Sequence, residues 1–577
     1  MKKKVLPALI VTGLIILVVI IMGITALINK YTPTKKTEDL KEYFNISSDD
    51  EAALIVDNEL SDYKAKIIDD KVYVDYRFVH DSLNSRFYWD ANENVLLYTT
   101  ASDIISAAAD SNSYSVTKQT NDFGYPIVKA TSDSALIALD YVKQYSNITF
   151  KSYDDPARVV ITSKWDEIDS ATVSKSTQVR VKGGIKSPIL KQVKKNDTLT
   201  ILDSGDKWDK VATEDGIIGY IKNKAMSESK KTKLTNPDYE EETFTHIKKD
   251  KDICLAWNQV TSRSANSKVA QVISSTKGIN VMSPTWFYLN DNNGNLADIA
   301  SKDYVSYCHS QGIEVWGLFS NFENTDVDAA YVLTHTSTRT TLINQIMSAA
   351  FNYELDGVNI DFENITEAAY GDSYIEFIRE LAIKCHNNGI SLSVDVTVPA
   401  SFNKFFNRSD MANFADYIVI MGYDEHYKGS DAGSVSSIPW VTEGVEATLK
   451  EVPADQIILG MPFYTRIWEL TPKEDDDAVT DTEDQSKYTV ASQVYGMDAA
   501  AAQLATNNAT ASLDEESGQN YAEWSASNKL YKVWLEDSTS LEKRLKLVDD
   551  NKLAGAAFWK LGFENSSVWD TVIKYLD

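Results

Sequence analysis

Apolar and polar positions change period several times along this chain, and each period predicts an element. Residues 5–28 carry no charged side chain, and a helix needs about 20 such residues to cross a bilayer. The run is longer than a signal-peptide core of roughly 7–15 residues, so it predicts an uncleaved, membrane-spanning signal anchor over 1–30, with a cleaved signal peptide as the alternative. A polar linker follows at 31–50. From 51 to 165 the pattern is mixed: KVYVDYRFVHDSLN and RFYWDANENVLLYTT read as strand, short helix and strand, Ser134–Tyr145 as a helix, and Ala157–Ser163 as a strand. Over 171–226 short β-rich runs are broken by turn signals at Gly205 and at Asp215-Gly216. Residues 227–245 are polar with charges of both signs and read as a second linker.

From Ile253 onward short apolar strands alternate with helices. The strands are ICLAWNQV, INVMS, IEVWGL, LDGVNIDFE, ISLSVDVT, ADYIVIMGYD, QIILGMPFYTRIW and AGAAFWKLG. Helix stops fall at Gly278, Gly312 and Gly389, and before Gly389 the residues Tyr374, Ile378, Leu381 and Cys385 recur at helical spacing as one apolar stripe. Eight β-branched strands alternating with helices predict an α/β fold, a (β/α)8 TIM barrel over 246–577 with its site at the carboxyl ends of the strands. The stretch 469–531 is too long for one connection and reads as an insertion before the last strand that walls one side of the cleft.

Chemistry concentrates in LDGVNIDFEN, Leu355–Asn364. Alternation puts Asn359, Asp361 and Glu363 on one face and Val358, Ile360 and Phe362 on the other. A row of acids on a buried strand is costly unless the face opens into a site, and such a row suits glycosidic bond cleavage. Glu363 can protonate the leaving oxygen, with the Asp361 charge raising its pKa. The stretch resembles the signature of glycoside hydrolase family 18, D-x-x-D-x-D-x-E, matching at Asp356, Asp361 and Glu363 and departing at Asn359. Met421-Gly422-Tyr423-Asp424 matches the family's M-x-Y-D pattern at the end of the sixth strand. Trp559 matches the tryptophan that floors the sugar subsite, and Met461 to Tyr464 ends the seventh strand.

This resemblance implies substrate-assisted retaining catalysis, in which the 2-acetamido oxygen of the sugar attacks C1. Glu363 then acts as acid and base, and Asp361 and Tyr423 hold the acetamido group. Asn359, Asp356, Met421, Asp424, Tyr464 and Trp559 contact substrate, and no metal or organic cofactor is required. Asn359 stands where chitinases of the family carry Asp; it cannot ionise and is expected to hydrogen-bond Asp361. Asn there is also found in the family branch resembling spore-cortex and wall N-acetylglucosaminidases. Residues 51–165 are similar to the amino-terminal α+β domain of copper amine oxidases, without implying copper, and His80 reads as a surface residue. Residues 171–226 resemble bacterial Src-homology-3 domains, small all-β barrels often attached to cell-wall enzymes.

Composition narrows the partners. A net charge of −27 argues against nucleic acid and anionic lipid headgroups, while 12 Trp, 30 Tyr and 19 Phe suit stacking on sugar rings. Cys254, Cys308 and Cys385 have no metal-ligand spacing and read as buried apolar residues. The acidic run EDDDAVTDTED at 474–484 does not match a calcium loop and reads as solvated. Three functions remain. The first is a membrane-anchored, extracytoplasmic hydrolase of N-acetylglucosamine polymers, peptidoglycan above all. The second is a chitinase or an endo-β-N-acetylglucosaminidase on N-glycans; the third is a lectin-like protein that has lost catalysis.

Overall fold

Short, largely apolar strands build the larger of two compact units. In the computed structural model, which describes residues 5–363, 365, 368–473 and 484–576, they are β1 (Ile253–Asn258), β2 (Val281–Leu289), β3 (Glu314–Ser320), β4 (Gly357–Asp361), β5 (Ser391–Thr397), β6 (Tyr417–Met421), β7 (Ile457–Pro462) and β8 (Gly555–Trp559). Each pairs in parallel with the next, and β8 pairs with β1, so the expected (β/α)8 barrel is closed. The three helix-stop glycines have φ of +76°, +74° and +68°, the left-handed conformation that costs glycine least. The barrel interior is filled toward its amino end by Trp316 stacked on Tyr417, with centroids 5.6 Å apart. Gly357 opens β4 because a Cβ there would meet the Trp316 ring at 2.5 Å. Cys254, Cys308 and Cys385 are buried free thiols.

The insertion is larger than its sequence limits of 469–531. After Phe463 the chain leaves β7, and Tyr464–Pro472 pairs with Tyr488–Gly496 and Lys529–Leu535 in a five-stranded antiparallel sheet. No polar side chain interrupts Ile457–Phe463, and the first break, Thr465-Arg466, comes only after the chain has changed sheet, so the sequence does not mark the change. Of the acidic run at 474–484, all but Asp484 lies outside the described residues.

The helix Ala368–His386 is buried on more than the one stripe expected of it. Its outer side is covered by a meander from far upstream. Strands Phe87–Asp90, Val95–Thr99, Ile104–Ala108, Ser113–Val116 and Gln119–Asp122 form a five-stranded sheet, of which Tyr88–Ser106 and Ser115–Asn121 belong to the barrel unit. The Tyr88 hydroxyl shares a hydrogen bond with Ser373 Oγ at 2.8 Å, and Thr99 Oγ1 donates to Glu376 at 2.8 Å. Asp90 accepts from the backbone N–H and hydroxyl of Thr336, capping the helix Thr336–Tyr353. The Arg339 guanidinium lies over the Tyr88 ring and donates to Glu380 at 2.8 Å, while Arg379 pairs with Glu376 and Asp410. The span 51–165 is therefore not one module, because its aromatic and polar hairpin face finds partners on the barrel's helices.

The other unit holds the helix Val5–Tyr31 and two seven-stranded sheets. The helix is apolar and exposed along Pro7–Tyr31 and is long and apolar enough to cross a membrane. One sheet spans Glu51–Thr162 and the other Glu167–Lys233. Ala53, Ile55 and Val160 of the first share a core with Ala171, Val179 and Leu199 of the second. The boundaries at 165 and 171 thus do not separate two cores. Both linkers are partly structured: Phe44 is buried in that shared core, and Lys230–Lys233 pairs with Glu167–Ser170. Ser134–Tyr145 is half strand, with Ala135–Ala138 extended and Leu139–Gln144 helical.

Arg339→Ala strips Glu380 of its buried cation and removes the ring contact with Tyr88. It is expected to cost the barrel unit about 3–5 kcal/mol, read as a lower urea midpoint by tryptophan fluorescence.

Candidate active site

All eight strands, or the turns that follow them, contribute to one cavity of about 510 Å³ at the carboxyl end of the barrel. Trp257 comes from β1, Tyr288 from β2, Glu323 from the turn after β3, and Asp361 and Glu363 from β4 and its end. Asp395 comes from β5, Met421, Tyr423 and Asp424 from β6, Tyr464 from the chain leaving β7, and Trp559 from β8. The floor is aromatic. Trp559 and Tyr423 each meet Trp257 edge-on, at 5.9 and 6.5 Å between centroids, and Tyr464 meets Tyr423 at 6.2 Å.

Five carboxyl groups share this cavity, and among the described lining residues none is cationic. Acids so crowded and dry cannot all ionise. Burial raises the Asp361 pKa well above its ordinary range, and the neighbouring Asp395, Glu363 and Glu323 add to it; Asp361 Oδ1 is buried with no hydrogen-bond partner among the described residues. Asp395 is raised likewise by burial and by Glu363, partly opposed by a hydrogen bond from Asn359. Burial also raises the Tyr423 hydroxyl. Glu363 opens into the cleft, yet loss of water around it raises its pKa, with the charges of Asp424 and Glu323 next. The expected cause, Asp361, is replaced by these two.

Second contacts set the positions of these groups. The Asn321 side chain clips the backbone of Glu363 on both sides: its Nδ2 donates to the Glu363 carbonyl at 2.8 Å and its Oδ1 accepts the Glu363 N–H at 2.9 Å. Ser320 Oγ donates to Glu323 at 2.7 Å. The Tyr464 hydroxyl donates to Asp424 at 2.7 Å, with Arg466 at 3.4 Å from the same oxygen.

Two expected substrate contacts are not in the cavity. Asn359 is fully buried beneath it and does not bond Asp361. Its Oδ1 accepts from Trp257 Nε1 and Ser283 Oγ, each at 2.9 Å, and its Nδ2 donates to Ser393 Oγ at 3.0 Å and Asp395 Oδ1 at 2.7 Å. Asp356 precedes β4, at the opposite end of the strand from the cavity. There it accepts from the Val315 N–H and pairs with His309, both at 2.8 Å. Sequence reasoning missed Trp257, Glu323 and Asp395. The signal for Asp395 was present in SLSVDVT, a lone acid near the end of a buried strand, the same argument that singled out Asp361.

Comparison with known proteins finds relatives of the barrel region. The model described as Glycosyl hydrolases family 18 matches residues 319–564. An uncharacterized glycosylase of Bacillus subtilis, YvbX, is 22% identical over 346 residues, covering 56% of this chain and 95% of its own. The cortical fragment-lytic enzyme of the same organism is 24% identical over 287 residues, 48% of this chain and 63% of the relative. Among solved structures, the spore cortex-lytic enzyme SleL of Bacillus megaterium superposes with a TM-score of 0.49 at 19% identity, covering 56% of this chain and 74% of that one. The chain carries a glycoside hydrolase family 18 domain and is a glycoside hydrolase.

The raised acids carry a stability consequence with a fixed sign. A carboxyl whose folded pKa exceeds its unfolded value weakens the fold once pH passes the unfolded value of about 3.9, and does nothing below it. Asp361→Asn removes that penalty. It is expected to raise the thermal midpoint at pH 8, with the gain shrinking to nothing toward pH 4, checked by melting curves across that range.

Proposed function

We propose that the chain is a membrane-anchored, extracytoplasmic retaining hydrolase of β-1,4-linked N-acetylglucosamine polymers, with peptidoglycan as its substrate. The observation that carries the reading is the placement of Glu363 and Asp361 in one cavity above an aromatic floor of Trp559, Trp257 and Tyr423. A pyranose stacks its C–H face on Trp559. Glu363, its pKa raised by burial, protonates the leaving oxygen while the sugar's own acetamido oxygen attacks C1, so no protein nucleophile is required. Asp361 faces the acetamido nitrogen as positive charge develops there, and the Tyr423 hydroxyl donates to the acetamido oxygen. Glu363, now ionised, takes a proton from the water that opens the cyclic intermediate.

A second hollow of about 320 Å³ shares Glu363, Asp395 and Met421 with the first and is lined by Phe402, Phe405 and Phe406. It offers the leaving part of the polymer an apolar wall. Peptidoglycan is favoured over chitin by the cortical fragment-lytic relatives and by the apolar helix Pro7–Tyr31, which would hold the barrel close to the wall. In the same reading the sheet Glu167–Lys233 is a Src-homology-3-like wall module, and the sheet Glu51–Thr162 derives from an amine-oxidase-N-like module.

The test incubates the full chain in detergent, and its Glu363→Gln form, with purified peptidoglycan and with chitin oligomers, and reads products by mass spectrometry. Muropeptides ending in reducing N-acetylglucosamine are expected, with a loss of about 10²–10⁴-fold in the variant. Chitobiose alone would move the assignment to a chitinase. Saturable binding by both proteins without product would leave a lectin.

Glu323 supplies part of the charge that raises the Glu363 pKa. Glu323→Gln is expected to lower the Glu363 pKa, so that the acid is lost sooner as pH rises. The alkaline limb of kcat/KM on an aryl chitobioside should shift to lower pH.

A further inference from the structure

Asp395 has no part in the scheme above, yet its position relative to Asp361 is set by the barrel itself. β4 and β5 run in parallel with Asn359 beside Ser393 and Ile360 beside Val394. One residue further on, Asp361 lies beside Asp395 at the spacing of neighbouring strands, about 4.8 Å. Both are buried, and both line the cavity.

The hydrogen-bond polarity beneath the pair is fixed without reference to any proton position. An indole N–H only donates, so the Asn359 atom 2.9 Å from Trp257 Nε1 is its carbonyl oxygen. The amide NH2 therefore faces Asp395, and Asp395 Oδ1, at 2.7 Å, accepts from it and carries no proton. On the neighbouring strand Asp361 Oδ1 is buried with no hydrogen-bond partner among the described residues. One carboxyl is thus held as an acceptor while its neighbour keeps an oxygen unengaged.

The charged and titratable groups facing the pair are Glu363 on β4, Glu323 after β3, and Tyr423 and Asp424 on β6. Tyr374, on the helix behind, also faces it with a buried hydroxyl that has no hydrogen-bond partner. All of them are acids or phenols. Two adjacent carboxyls in such surroundings cannot both be ionised.

We propose that Asp395 is the proton-sharing partner of Asp361. In the free protein the two carboxyls hold one proton between them, and it passes from Asp361 to Asp395 Oδ2 when an acetamido N–H reaches Asp361. The transfer leaves the pair's charge unchanged, and the proton returns when the cyclic intermediate opens. Asp361 can then be neutral in an empty, dry cavity and anionic when positive charge develops beside it. Asn359 supports this by keeping Asp395 Oδ1 engaged, which leaves Oδ2 for the shared proton. Asp395 acts through Asp361 and is a positioning residue. The step at the acetamido group rests on the hydrolase reading; the shared proton does not.

The test separates the two. Isotope-edited infrared spectroscopy of the full chain labelled with 13C-carboxyl aspartate, free of substrate at pH 7, is expected to show a protonated aspartate band. Asp395→Asn and Asp361→Asn should each abolish that same band, since one proton shared by two groups is lost with either. Glu363→Gln should leave it in place, because the label does not report glutamate. In kinetics on an aryl chitobioside, Asp395→Asn is expected to lower kcat ten-fold or more with KM changed less than three-fold. A band that survives Asp395→Asn, or no protonated aspartate band in the unsubstituted protein, overturns the proposal whether or not the protein hydrolyses any sugar. If Asp395→Asn does not fold, survival of the band in Asp361→Asn overturns it equally.

Discussion

The barrel mouth depends on one amide. Asn359 uses all four of its hydrogen-bonding positions inside the protein, and its partners come from β1, β2 and β5. Trp257 is thereby oriented, and with it the edge against which Trp559 and Tyr423 rest. Asp395 is pinned by the same amide. An acid at this position would add another charge to a region already holding Asp361, Asp395 and Glu363. An aliphatic residue would leave the indole N–H and the hydroxyls of Ser283 and Ser393 to find partners in a dry interior, at about 1–3 kcal/mol for each group left unsatisfied.

The cavity above that amide shows what a site concedes in stability. Buried acids without counter-ions are unfavourable, and a fold keeps them only where the surrounding packing is secure. Here that packing lies below and around the mouth. Trp316 and Tyr417 fill the barrel toward its other end. Asn321 holds the Glu363 backbone from the neighbouring strand. On the outer face of the helix that follows Glu363, paired charges run through Arg339, Glu380, Glu376, Arg379 and Asp410. Opposite charges are matched in the scaffold and like charges are gathered in the cavity, so the local field differs sharply between the two.

The barrel was legible because its strands and helix stops are local signals: eight apolar runs, with glycines where helices must end. Asp361 and Glu363 were legible because alternation along one strand assigns faces. Asp395 escaped because its meaning depends on which residue of the next strand lies beside it, and register is not written in either strand alone. Asn359 was assigned to the wrong neighbour for the same reason, as its partners are 34 to 102 residues away. Asp356 matched a motif position but sits at the far end of its strand, bonded to β3. The insertion boundary was invisible because the chain passes from one sheet to the next with no polar break. The split of the amino-terminal half went unseen because Tyr88, Asp90 and Thr99 look like ordinary hairpin residues until the helices they touch are in place.

That last feature bears on how the chain is made. The meander from Tyr88 to Ser106 leaves the ribosome early, but Thr99 and Tyr88 meet their partners 277 and 285 residues later. For most of synthesis the hairpin face bearing Tyr88 must wait undocked, the kind of long-range closure that folds slowly and exposes apolar surface meanwhile. The barrel's strands all lie from residue 253 onward, but the cover on the outer side of the helix Ala368–His386 was delivered before the first of them existed. A catalytic domain cut out at residue 246 would lack this cover, however natural the boundary looks in the sequence.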